Sequence, residues 1–118
     1  MADEERLICL SGALADSGKG VRFEVEYFGA PAPAFAVRYA GKVHGYLNRC
    51  AHVAMELDWQ EGMFFGMTGH DLLCSTHGAS YDPRNGHCLG GPCNGTPLVK
   101  LKLAERDGEV YFTGFADD

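Results

Sequence analysis

At 118 residues the chain is long enough for one hydrophobic core and too short for two. Its 46% hydrophobic and 22% charged residues exclude a disordered or fibrous protein. A formal net charge of -6 leaves no basic stripe for a phosphate backbone, so nucleic acid is excluded as a partner.

The start, Met1 to Arg6, has no basic cluster, and the apolar run Leu7 to Leu10 is too short for a signal peptide or a membrane span. A cytoplasmic protein with no membrane partner is expected. Val21, Phe23, Val25 and Tyr27 alternate with Arg22, Glu24 and Glu26, the period-2 pattern of a half-buried strand. Ala34 to Tyr39 and Val43 to Leu47 read as two further strands, joined through Ala40-Gly41 as a hairpin. Residues 48 to 97 hold half of the Gly and most of the Pro, His and Cys, and show little periodicity. Val99, Leu101 and Leu103 then alternate with Lys100 and Lys102, and Asp107-Gly108 turns the chain into Val110 to Thr113. The expected architecture is all-β, short strands carrying one elaborate loop region.

Chemistry is concentrated in that region. Cys50-Ala51-His52 is a C-x-H pair, and after 21 intervening residues Cys74-Ser75-Thr76-His77 is a C-x-x-H pair. Two thiolates and two imidazoles suit one tetrahedral zinc ion, or a 2Fe-2S cluster with two cysteines on one iron and two histidines on the other. Spacing alone leaves both open. Five cysteines, an odd number, in a reducing compartment are read as metal ligands or thiols rather than a disulfide framework.

Cys50-Ala51-His52, Cys74-Ser75-Thr76-His77-Gly78-Ala79-Ser80-Tyr81-Asp82, Gly86 and Gly91-Pro92 together resemble the signature of the Rieske domain family. The resemblance extends over nearly the whole chain. It implies a Rieske-type β-sandwich of short antiparallel strands with a cluster-binding loop subdomain at about residues 48-97, the whole of 1-118 forming one domain. The implied cofactor is a Rieske-type 2Fe-2S cluster, held by Cys50 and Cys74 on the buried iron and by His52 and His77 on the outer one, under a third loop containing the Gly-Pro. The implied function is that of a one-electron carrier, like the ferredoxin components of Rieske oxygenase systems, with a reductase and a terminal enzyme as partners. Such a chain is not an enzyme by itself. The alternatives are a small Rieske subunit of a reductase complex such as nitrite reductase, a redox-sensing or interaction module with a structural cluster, and a zinc domain without redox function.

His44, His70 and His87 lack such pairing and are expected at the surface or in turns. Trp59 is read as a loop anchor and Cys9 as a buried thiol. Cys88 and Cys93 bracket Leu89-Gly90-Gly91-Pro92; they are read as two reduced thiols packing the covering loop, with a disulfide or a second metal site as the alternatives. The resemblance also sets this chain apart from respiratory Rieske proteins. Their inter-loop disulfide falls at Met55 and Thr76, and their cluster-directed serine falls at Ala79. Their tyrosine donor is matched by Tyr81. Fewer donors to the cluster imply a low reduction potential.

Overall fold

Phe28-Gly29 (φ 51° and 78°), Ala40-Gly41 (53° and 82°) and Asp107-Gly108 (53° and 76°) each place two successive residues in the left-handed region. Such turns twist in the same sense as the strands they join, so each makes a tight hairpin. The computed structural model describes residues 6–49, 57–58, 62–66, 69–74, 78–91 and 96–115. Within them the strands are β1 (Arg6–Leu10), β2 (Val21–Tyr27), β3 (Ala30–Tyr39), β4 (Lys42–Leu47), β5 (Leu72–Leu73), β6 (Ser80–Tyr81), β7 (Cys88–Gly90), β8 (Lys100–Arg106) and β9 (Glu109–Phe115). One 3-10 turn, Ser11–Ala13, follows β1.

The expected all-β fold is observed, and every pairing between these strands is antiparallel. Six strands form one sheet in the order β1-β9-β8-β4-β3-β2, and β5-β6-β7 form a second. Arg6 at the β1 edge donates to the Glu24 carbonyl on β2, bringing the two edges of the large sheet together. Arg38 ties β3 to β8 through a two-pronged contact with Glu105 at 2.5 and 3.0 Å, and its Nε donates to the Leu14 carbonyl at 2.8 Å. This ion pair holds the Glu105 carboxyl down at about 2.

β3 is the central strand in energetic terms. Ala32, Ala34 and Ala36 point into the interior of the large sheet, against Val25, Leu47, Leu101 and Val110 and the partly buried Phe23, Phe112 and Phe115. Phe35 and Val37 point the other way and join Tyr46, Leu57, Phe64, Leu72, Cys74, Ala79, Tyr81 and Leu98 in a second core. The loop region therefore packs as a layer on the outer face of β3 and β4. Phe35 and Phe64 stack with centroids 3.9 Å apart, which makes this pair the joint between sheet and loops.

β1, β5, β6 and β7 were not expected as strands from the sequence, and β3 begins four residues before the expected Ala34. Pro31 and Pro33 obscure that start. Their missing N–H groups are tolerated because β4 ends at Leu47, opposite Ala34, so the proline nitrogens face the side where no further β4 partner exists. The Pro33 carbonyl still accepts the Asn48 N–H at 2.8 Å.

Phe64→Ala is expected to destabilise the fold by about 3–5 kcal/mol, the range for a fully buried aromatic that leaves a cavity. Denaturant unfolding measures it; a loss under about 1 kcal/mol would show that the loop layer is not anchored through this stack.

Candidate metal centre

The first C/H loop leaves the sheet at Asn48, which is 1% exposed at the end of β4. Asn48 Nδ2 donates to Asp58 Oδ1 at 2.8 Å, and its Oδ1 accepts the Leu57 N–H at 2.8 Å. Asp58 Oδ2 in turn accepts the Gly62 N–H at 2.9 Å and lies 3.5 Å from Arg22 Nε on β2. A buried carboxylate is costly unless paired and hydrogen-bonded, and here both conditions hold. The network fixes residues 48 and 57–58, the two ends of the segment that contains Cys50 and His52.

The second loop starts from β5. Leu73 N–H donates to the Phe64 carbonyl at 2.8 Å, Cys74 N–H to Ala79 at 2.8 Å, and Gly78 N–H back to Cys74 at 2.7 Å. These bonds tie Gly78 and Ala79 to Cys74. Cys74 carries a reduced thiol and is fully buried, as are Ala79 and Tyr81 beside it in the same core. Ser80 Oγ donates to Asp71 Oδ2 at 2.6 Å, bracing the strand that follows.

The third loop is built on the β6–β7 hairpin. Asp82 N–H donates to His87 at 2.9 Å, Gly86 N–H to Asp82 at 2.7 Å, and Leu98 N–H to Gly86 at 2.9 Å. Tyr46 reaches up from β4 and donates its hydroxyl to the Pro83 carbonyl at 2.7 Å. Beyond β7, Gly91 has φ 84°, and a Cβ there would stand 2.7 Å from the Gly78 carbonyl. Only glycine fits where the third loop presses on the second.

Of the four expected ligands, Cys74 is placed by these bonds, while Cys50, His52 and His77 lie outside the described residues. What is placed is a sulfur that belongs to no disulfide and whose backbone is hydrogen-bonded within its own loop; burial alone favours the neutral thiol, so a metal ion would have to stabilise the thiolate there. Met55, Trp59, Thr76 and Cys93 also lie outside the described residues. Among the described residues, no group of three or more His, Cys, Asp or Glu could hold a further metal ion.

His70 and His87 are exposed, as expected, and His70 Nδ1 meets the Tyr39 hydroxyl at 3.0 Å. His44 departs from the expectation: it is half-buried on β4, its Nδ1 3.4 Å from Lys100 Nζ. Burial and the nearby Lys100 and Lys42 lower its pKa from 6.5 to about 4. Cys9 is half-buried and packs beside Leu14, Ala36 and Val110, and burial raises its thiol pKa. Cys88 corrects the reading of two reduced thiols, because it is disulfide-bonded. Its side chain packs against the core that holds Cys74, a position that residue spacing alone does not reveal.

Residues 6–105 match the family model described as the Rieske [2Fe-2S] domain. No curated protein matches the chain. Among solved structures, it is similar to a chain in the complex of reduced oxygenase and oxidized ferredoxin in carbazole 1,9a-dioxygenase, with TM-score 0.74, 21% identity, and 98% and 97% of the two chains covered. It is similar to the ferredoxin of carbazole 1,9a-dioxygenase from Nocardioides aromaticivorans IC177, with TM-score 0.74, 21% identity, and 93% and 97% covered. A third is Sphingomonas yanoikuyae B1 ferredoxin, with TM-score 0.73, 22% identity, and 93% and 98% covered. At these identities the likeness establishes the fold.

The depressed His44 pKa has a measurable consequence. Between pH 6.5 and about 4 the unfolded chain takes up a proton at this residue and the folded chain does not, so stability falls as pH falls through that window. Allowing for solvent screening of a half-buried ring, the loss is about 1–2 kcal/mol. Unfolding free energies of the protein and of His44→Gln, followed over the window, are expected to converge at low pH; parallel curves would remove His44 as the cause.

Proposed function

The chain belongs to the Rieske [2Fe-2S] domain family, and from that premise we propose that it is a one-electron carrier. It takes an electron from a reductase and delivers it to a terminal oxygenase or another redox enzyme. The family's cofactor is a [2Fe-2S] cluster, which when bound supplies reversible one-electron chemistry. In this reading residues 1–118 act as one domain, and loops within about 48–97 present Cys50, His52, Cys74 and His77 as ligands. The match over residues 6–105 is the observation that carries the proposal.

The described residues support it with a frame suited to holding rather than transforming something. Asn48 and Asp58 secure the base of the first loop, and Gly91 seats the third loop on the second. In the same reading the chain is not an enzyme by itself and works as a component of a larger oxidoreductase system. Among the described residues no helix is long and apolar enough to cross a membrane. The same proposal places the protein in the cytoplasm with redox proteins as partners, without nucleic acid or membrane.

Cys50→Ser, His52→Ala, Cys74→Ser and His77→Ala are each expected to lose the intact cluster, while Cys9→Ser retains it. Iron and acid-labile sulfide analysis reads the ligand set, and full loading in any of the first four would refute it. The carrier function is read separately: with a flavin reductase supplying electrons and cytochrome c accepting them, turnover should rise in proportion to the amount of this protein added. Turnover that stays at the reductase's own rate would point to a structural cluster.

The potential is expected in the low part of the roughly -150 to +300 mV Rieske range, because position 79 carries a methyl group where the respiratory branch has a hydroxyl donor. Ala79→Ser should raise it by about 40 mV, taking one added hydrogen bond as about 1 kcal/mol in a one-electron couple. Protein-film voltammetry measures both values; a parent midpoint above about +200 mV would overturn the reading of Ala79.

A further inference from the structure

A cleft of about 790 Å³ opens beside the start of β8, and Leu98 is the one described lining residue that also belongs to the Cys74 core. Its walls combine the Tyr27 and Phe115 rings, whose centroids are 5.4 Å apart, with the apolar Pro97 and Leu98, and Asn85, His87 and Lys100 supply polar groups. That volume is in the range of small-molecule sites. In a chain with 16 acidic residues, none of the described residues that line it is Asp or Glu.

Lys100 supplies an independent reason to look for an anion. Its ammonium donates to the Arg84 carbonyl at 3.1 Å and meets the Tyr46 hydroxyl and His44 Nδ1 at 3.4 Å each. Every one of these partners is neutral, since His44, with its lowered pKa of about 4, is uncharged near pH 7. Among the described residues no carboxylate pairs with Lys100, although its neighbour Asp82 is held by Arg84 at 3.1 Å. A half-buried cation without a counter-ion is costly, and an anion entering the cleft would offset that cost. The two 3.4 Å contacts are long enough to yield an N–H to such a ligand at little loss.

We propose that this cleft binds a small aromatic carboxylate, its ring against Tyr27 and Phe115 and its carboxylate toward Lys100. The aromatic wall selects a flat ring by stacking and apolar burial, and the Lys100 ammonium, whose hydrogen-bond partners are all neutral, selects negative charge. Neither requirement involves the metal centre, so the site stands apart from the electron-carrier reading.

Isothermal titration of the cluster-loaded protein with 2-naphthoate tests it, with 2-naphthamide as the uncharged and cyclohexanecarboxylate as the non-aromatic comparison. Saturable binding of 2-naphthoate with a dissociation constant at or below about 1 mM is expected. Both comparison compounds, and both Lys100→Met and Phe115→Ala, should weaken binding about tenfold or more, while Lys102→Met, an exposed lysine outside the cleft, should not. The amide comparison uses the unaltered protein, so it decides the charge requirement even if Lys100→Met fails to fold. No saturation below about 10 mM, or equal affinity for the naphthoate and its amide, would overturn the proposal.

Discussion

The burial of β3 on both faces is the constraint on which the rest of the structure depends. A strand of a two-layer protein ordinarily has one buried face, and its sequence alternates accordingly. Here the alternation is between sizes: Ala32, Ala34 and Ala36 on the sheet interior, Phe35 and Val37 on the loop side. The small side chains leave room for the aromatic residues of β2 and β9, and the large ones provide a floor for the loop layer. Strands of two or three residues, such as β5, β6 and β7, cannot persist alone. Full burial of a side chain such as Phe35, Tyr46, Phe64 or Tyr81 contributes about 1.5–3 kcal/mol, so the loops hold their shape because they are part of a core.

Apolar packing sets the distance between the layers, but it does not fix the register of a loop. That role falls to buried polar groups. Asp58 has a side chain with no exposed surface, satisfied by an amide, a backbone N–H and a guanidinium. Removing one member would leave a buried charge uncompensated, a loss of about 3–5 kcal/mol, so the loop ends have no cheap alternative position. A ligand frame of this kind is held by supporting hydrogen bonds before any ligand arrives, as a precise binding site requires.

How much of this was legible in the sequence follows from the length of each signal. β2 spans seven residues with one buried face, and its period-2 pattern matches the observed Val21–Tyr27 without error. The Ala40-Gly41 and Asp107-Gly108 turns were readable because glycine follows a residue that must itself take a positive φ. β1 was missed because Leu7 and Leu10 are 50% and 60% exposed at a sheet edge, so a strand there shows an apolar run instead of alternation. β5, β6 and β7 are shorter than one full period comparison. The C/H pairs were visible as spacing and their reading as cluster ligands comes from the family resemblance, whereas the Asn48–Asp58–Arg22 network joins residues 22, 48 and 58 that no local pattern connects. The Cys88 disulfide is not legible in the sequence, because spacing does not report oxidation state.

Tyr46 shows how the two layers are made to act as one. Its ring is fully buried in the loop-side core, its hydroxyl holds the Pro83 carbonyl, and Lys100 stands 4.9 Å from its ring centroid. Gly86, with φ 78°, completes the enclosure: a Cβ there would fall 2.8 Å from the ring, so the turn can approach the phenol only as glycine. A side chain fixed by the β4 register thus dictates where residues 82–86 lie, and through them where β7 and Gly91 meet the second loop. Burial raises the Tyr46 pKa above its ordinary value, which favours the protonated phenol as the donor to Pro83. The adjoining contact between Lys100 and His44 behaves differently, since it needs a neutral imidazole to accept the ammonium proton. The joint is therefore insensitive to alkali through its tyrosine and sensitive to acid through its histidine, and the geometry of the covering loop is secured most firmly where the hydroxyl, not the imidazole, makes the bond.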